Sequence, residues 1–198
     1  MNIGADNHVT GDVSTLSGAV NVGANSRVDG SITSALAGVV TLGAGATVGG
    51  NVTTVSGAIN LGAGSNVAGF VLDTIAGAVT LGRNAAVGGG VGSNSGAITL
   101  GTGSSAAGSV CSGRSGAITL NDNTRVGGNV KTNDGAITVG DMSSVSGTVS
   151  AVSGAVTISS SAKVGSVGSK ILCPLDKLAR GGGTPVIKSR EWRQIFMR

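Results

Sequence analysis

Residues 77–82 read Gly77-Ala78-Val79-Thr80-Leu81-Gly82, and nearly the same words return as Gly96-Ala97-Ile98-Thr99-Leu100-Gly101 and Gly116-Ala117-Ile118-Thr119-Leu120-Asn121. The block starts at Gly18, Gly38, Gly57, Gly77, Gly96, Gly116, Gly135 and Gly154, always 19 or 20 residues after the last, and only Val39 replaces its alanine. A fixed period of this length marks a solenoid, in which each repeat is one coil that buries its apolar side only by stacking on its neighbours.

Side chains alternate along an extended segment, so in the coil spanning residues 38–56 Val40 and Leu42 share one side while Val39 and Thr41 share the other. Val48 and Val52 continue the inward set. One inward column runs from Val20 through Val40, Ile59 and Val79 to Val156, a second from Val22 through Leu42 to Ile158, a third from Val28 through Val48 to Val164, and a fourth from Ile32 through Val52 to Val149. Short β-branched runs broken by glycine suit strands. Three such runs per coil predict an all-β fold: a single parallel β-helix, or β-solenoid, of about eight to nine coils of 19–20 residues around a narrow aliphatic interior. Each buried aliphatic contributes about 1.5–3 kcal/mol, so the coils offset their ordering entropy only when stacked. The period covers residues 1–172. Residues 173–198 lose it, gain charge and read as a short non-repetitive C-terminal cap or tail, with a short helix from Ser189 that places Trp192, Ile195 and Phe196 on one face.

Two glycine columns follow different logic. Gly23, Gly43, Gly62, Gly82, Gly101 and Gly140 are interrupted by Asn121, the residue that after glycine best tolerates positive φ, which predicts a corner at that slot. Gly30, Gly50, Gly69, Gly89, Gly108, Gly128 and Gly147 are read as a crowded apex that admits no side chain.

The composition excludes several classes. Thirty-seven glycines, no Tyr, two Phe and one Trp do not make an aromatic core, yet 40% hydrophobic content at regular positions is unlike a disordered chain. The net charge of +4 is uneven: from Lys163 onward eight basic residues face two acids, whereas the preceding body carries five basic residues and seven acids. No nucleic-acid partner is therefore expected, and membrane contact only through the basic tail. The start lacks a basic-then-apolar leader, so the chain reads as cytoplasmic as written, and as extracellular if its N-terminus is truncated. Its first residues begin mid-coil, with Ile3 and Val9 matching Val22 and Val28, which leaves an open strand edge. Cys111 and Cys173 lie in a repeat and in the tail, and are read as free thiols.

Catalytic constellations are missing from the pattern. His8 is the only histidine and stands in the first coil beside no evident partner, which argues against a nucleophilic triad and against zinc. Asp122 and Asp141 occupy matching places in successive coils, but a solvated or calcium-tinged corner explains them better than paired carboxylates for glycoside cleavage. Pieces such as Gly43-x-Gly45 recur with the coil and open no helix, so they are corners rather than phosphate loops. No catalytic residue, metal site, cofactor or enzymatic activity is expected.

What remains is surface. The outward side of the repeat block carries one column of Ala19, Val39, Ala58, Ala78, Ala97, Ala117, Ala136 and Ala155, beside another of Asn21, Thr41, Asn60, Thr80, Thr99, Thr119, Thr138 and Thr157. With rungs about 4.8 Å apart and columns about 6.5–7 Å apart, this is a flat uncharged grid. It resembles the ice-binding faces of β-solenoid antifreeze proteins, and that resemblance implies that ranked Thr, Ala and Asn order water to match ice. The coil as a whole, with inward valine and corner glycine as in Val48-x-Gly50-x-Val52, resembles bactofilins; this second resemblance implies a solenoid that polymerises end to end without nucleotide. The expected partner is thus an ice or water surface, or a second copy of the chain; a surface adhesin stalk is the third reading. The outward pair Phe70 and Leu72 marks a possible dimer contact.

Overall fold

The computed structural model describes residues 1–168. The expected cap, and the helix carrying Trp192, Ile195 and Phe196, lie outside the described residues. Within them there are strands and turns but no helix, and the strand pairings are parallel. Each coil contributes to three strand stacks, so the solenoid has three faces and about nine coils.

The first face stacks Asn2–Ile3, Val20–Val22, Val40–Leu42, Ile59–Leu61, Val79–Leu81, Ile98–Leu100, Ile118–Leu120, Ile137–Val139 and Val156–Ile158, which define coils 1 to 9. The second face follows in coils 1 to 7 with a two-residue strand such as Thr47–Val48 or Arg125–Val126. The third face runs from Val13–Ser17 through Ile32–Ala37, Val71–Asp73 and Val110–Ser115 to Val130–Asp134. In coil 8 one strand, Ser144–Ser153, turns the corner between the second and third faces and joins them into one sheet.

The stacking follows the alternation. Val40 pairs with Ile59 and Ile59 with Val79, so like residues lie over one another. All four aliphatic columns are buried through the middle of the stack, with Val40, Ile59, Val79, Ile98 and Ile118 at 0% exposure. At the two ends burial weakens: Ile3 and Val9 in coil 1, and Val156, Ile158 and Val164 in coil 9, are only partly buried.

Two further inward columns are small and mostly polar. One follows the corner from first to second face: Ser26, Ala46, Ser65, Ala85, Ser104, Thr124 and Ser143. The other ends the third face: Ser34, Thr54, Asp73, Ser93, Ser112 and Thr132. Some of their hydroxyls hold nearby carbonyls, as Ser65 does Gly62 and Thr132 does Gly116, whereas those of Ser34, Ser104 and Ser112 are buried without a hydrogen-bond partner.

The corner geometry corrects the glycine reading. Positive φ falls two residues after the Gly23 column, at Asp6, Asn25, Gly45, Gly64, Asn84, Gly103, Asn123 and Met142. Gly62 to Ser65 shows why: the Ser65 amide donates to the Gly62 carbonyl across a β-turn, and its third residue, Gly64, takes φ +65, as a type II turn requires. Gly62 itself is glycine because a Cβ there would stand 2.5 Å from the Gly43 carbonyl carbon of the coil before it. The second column is crowded as expected, since a Cβ on Gly50 would press on the Ser31 hydroxyl and, at 2.9 Å, on the Gly30 backbone.

The mixture of 19 and 20 has one location. From the repeat-block glycines Gly18 to Gly135 to the valine or isoleucine that opens the third face the count is constant, and the extra residue of the longer coils falls in the corner that returns to the first face; in coil 9 the path from Gly154 to Val167 is one residue shorter, with a register shift between Val145 and Thr148. Register shifts appear there, between Thr15 and Ser17 and between Ser112 and Ser115. The first face shows none.

Candidate functional site

The first face positions every residue of the expected grid. Asn2, Asn21, Thr41, Asn60, Thr80, Thr99, Thr119, Thr138 and Thr157 pair successively in unshifted register. Ala19, Ala78, Ala97, Ala117, Ala136 and Ala155 are exposed beside them, and Ala58 is half-buried. Val39 is 38% exposed and is the one bulky side chain in the alanine column. Asn21, Thr80, Thr138 and Thr157 are exposed, while Thr41, Asn60, Thr99 and Thr119 are half-buried between neighbours.

The hydroxyls differ from those elsewhere on the molecule. Among the described residues, no first-face threonine hydroxyl makes a hydrogen bond within the chain, so each hydroxyl is left to solvent. On the third face Thr53 instead donates to Thr33 at 3.2 Å. At the foot of the first face the Asn21 amide donates to Asn2 at 2.8 Å, so an Asn pair satisfies itself where a Thr pair does not.

Charge is excluded from the first-face strands. On the second face, His8 Nε2 lies 2.9 Å from Asp29 Oδ2 and Arg27 Nε 2.5 Å from Asp29 Oδ1. His8 therefore has a partner, contrary to the sequence reading, and the Asp29 carboxyl is held below its ordinary range by its hydrogen bond to His8 and then by Arg27. All three side chains are substantially exposed, the arrangement of a surface cluster rather than of a nucleophilic triad.

The acids at Asp122 and Asp141 are corner ties: the Asp141 amide donates to Asp122 Oδ1 at 2.9 Å, and Ser161 donates to Asp141 Oδ1 at 3.2 Å. No group of three metal-ligating side chains occurs among the described residues. A shallow depression of about 440 Å³ on the second face is lined by small outward residues such as Ala86, Ser105 and Ala107, with Arg125 as its charged member.

Three features escaped the sequence reading. Leu16, Leu36 and Ile75 stand exposed in coils 1, 2 and 4 at the corner bordering the alanine column, and Val152 stands exposed at the same corner in coil 8, beyond the polar Asn94, Arg114 and Asn133. That corner varies in length, which hid the apolar positions there. Phe70 and Leu72, expected to be exposed, are 9% exposed and pack together. Cys111 is disulfide-bonded, so the free-thiol expectation fails for it.

These features define a class: a three-sided parallel β-solenoid with one flat, neutral, hydroxyl-bearing face. Neither protein-family models, nor curated proteins, nor solved structures match the chain.

Proposed function

We propose that the first face is an ice-binding surface. The observation that carries this reading is the run of threonines from Thr80 to Thr157, paired without a register shift and with no hydroxyl engaged by the protein. A rigid face loses little conformational freedom on contact, so many weak contacts held in register add up. The alanines supply apolar ground between the hydroxyls, and the lack of charge avoids strongly hydrated groups that would disorder the water between protein and crystal. No chemistry is performed; the face acts by adsorption.

The test is thermal hysteresis and ice-crystal shape with the purified chain. Wild type is expected to shape ice. Thr80→Arg, Thr99→Arg and Thr119→Arg together abolish the effect while far-UV dichroism stays unchanged, and Ser105→Arg on the second face leaves it intact. A correctly folded wild type that neither shapes ice nor shows hysteresis rules the reading out.

A second reading, end-to-end self-assembly, is favoured by the partly buried inward residues Ile3 and Val9 at one end and Val156, Ile158 and Val164 at the other. Both ends have the same three-stack outline, and a head-to-tail contact between unlike ends continues indefinitely. Negative-stain microscopy is expected to show filaments that Ile3→Lys breaks; a monomer by light scattering at high concentration excludes this reading.

A further inference from the structure

We infer that the ice-competent part of the first face is confined to coils 5 to 9, the block running from Ala78 and Thr80 to Ala155 and Thr157, and that Val39, Asn21 and Asn60 end it on the lower side. The inference rests on the ice-binding reading and assigns that reading to particular rungs.

The first observation concerns the polar column, which has two compositions. From Thr80 upward five threonines follow one another, whereas below them Asn2, Asn21, Thr41 and Asn60 set a single hydroxyl among amides. Pairing is unshifted through both parts, so the difference lies in the side chains and not in the backbone lattice. A threonine carries its hydroxyl and methyl on Cβ, set by one stiff torsion. An asparagine holds its polar atoms one bond further out, behind a second torsion of broad preference. Contact with a solid freezes that second torsion, a cost the threonine avoids. The Asn21 amide is also engaged already, donating to Asn2 at 2.8 Å, while no hydroxyl from Thr80 to Thr157 makes a hydrogen bond within the chain.

The second observation is relief in the apolar column. Every alanine from Ala78 to Ala155 is exposed and presents one methyl group. Val39, 38% exposed, carries two methyls beyond its Cβ where its neighbours Ala19 and Ala58 carry none. The Val20 amide donates to the Val39 carbonyl and the Val40 amide to the Ala58 carbonyl, so Val39 stands one rung, about 4.8 Å, from each of those alanines. A flat solid resting on Val39 is held off Ala19, Ala58 and the adjacent Thr41. Ala78 lies two rungs away, about 10 Å, and opens the first coil clear of that step. The two columns thus become regular at the same rung for separate reasons, one chemical and one steric.

Thermal hysteresis of the full-length chain tests the boundary with matched substitutions. Thr41 and Thr119 are both half-buried on the same face, so arginine disturbs the packing comparably at the two sites. Thr119→Arg is expected to lower hysteresis several-fold, and Thr41→Arg to leave it within error of wild type. Val39→Ala combined with Asn60→Thr joins Thr41 to the ladder, five rungs becoming seven, and is expected to raise hysteresis above wild type at equal concentration, with far-UV dichroism unchanged. Equal losses from Thr41→Arg and Thr119→Arg, or no gain in the double variant, overturn the boundary while an active wild type keeps the ice-binding reading; a folded wild type without hysteresis overturns both. If an arginine variant fails to fold, the double variant decides.

Discussion

Asp73 is the one carboxylate in a column of interior hydroxyls. Thr54 donates to its Oδ2 at 2.9 Å, while Oδ1 is buried without a hydrogen bond of good geometry. Burial raises its pKa from 3.8 to about 6, the hydrogen bonds from Thr54 and from the backbone of Gly57 and Ile75 opposing the rise. The folded chain therefore holds the proton more tightly than the unfolded chain. Stability is highest below pH 3.8, falls as pH rises toward 6, and is level with respect to this group above that. At about 1.4 kcal/mol per pKa unit the full change is roughly 3 kcal/mol. Denaturant titrations from pH 3.5 to 7.5 check this, and Asp73→Ser, which restores the column's hydroxyl, is expected to flatten the profile and raise stability at pH 7.5. Met142 offers a second test at this scale. It takes φ 54 and is 65% exposed, so its side chain strains the backbone and packs on little. Met142→Gly is expected to stabilise by about 1 kcal/mol, whereas Gly62→Ala, whose Cβ meets the Gly43 backbone, destabilises by about 1–3 kcal/mol. The positive-φ slot was legible in the sequence, through Asn25, Asn84 and Asn123, yet the single exception Asn121 pointed to the slot two residues earlier. Local conformation and crowding by a neighbouring coil both select glycine, and only coordinates separate them.

Among the elements, the three stacks differ in tolerance because their lengths are controlled differently. From Gly18 to Gly135 the path from the repeat-block glycine to the third face keeps one length, because a slip inside the stack turns inward residues outward; only the last coil, from Gly154 to Val167, is one residue shorter. The return corner accepts 19- or 20-residue coils and absorbs the difference in a bulge. One glycine inserted after Val55 is thus expected to shift the melting temperature by no more than about 2 °C, while one inserted between Gly49 and Gly50 costs at least about 2 kcal/mol; thermal melts of the two variants make the comparison. Strand assignment and facing were readable because Val40, Ile59 and Val79 repeat at every turn, and the same repetition laid out the first-face grid residue by residue. The fates of His8, Phe70 and Leu72 were not readable. They depend on a partner a whole turn away or on two side chains packing together at a single rung, and neither leaves a periodic trace.

As a whole molecule, the solenoid distributes its stability along the axis, each coil contacting only its neighbours. Removing residues 77–95, which joins Ala76 to Gly96, deletes one coil and leaves every remaining register intact. That shortened protein is expected to fold with unchanged dichroism per residue and, on the ice-binding reading, to retain ice shaping with reduced hysteresis, because one rung of the grid is lost. Charge is distributed as unevenly as stability is evenly: Arg27, Asp29, Arg125 and Lys131 lie on the second and third faces or their margins, and the first-face strands have none. Adhesion by such a surface needs no counter-ions and gains nothing from electrostatic steering, so dissolved salt has little to screen. On the ice-binding reading, such a face is expected to hold its grip in the concentrated brine that collects between growing grains of frozen water.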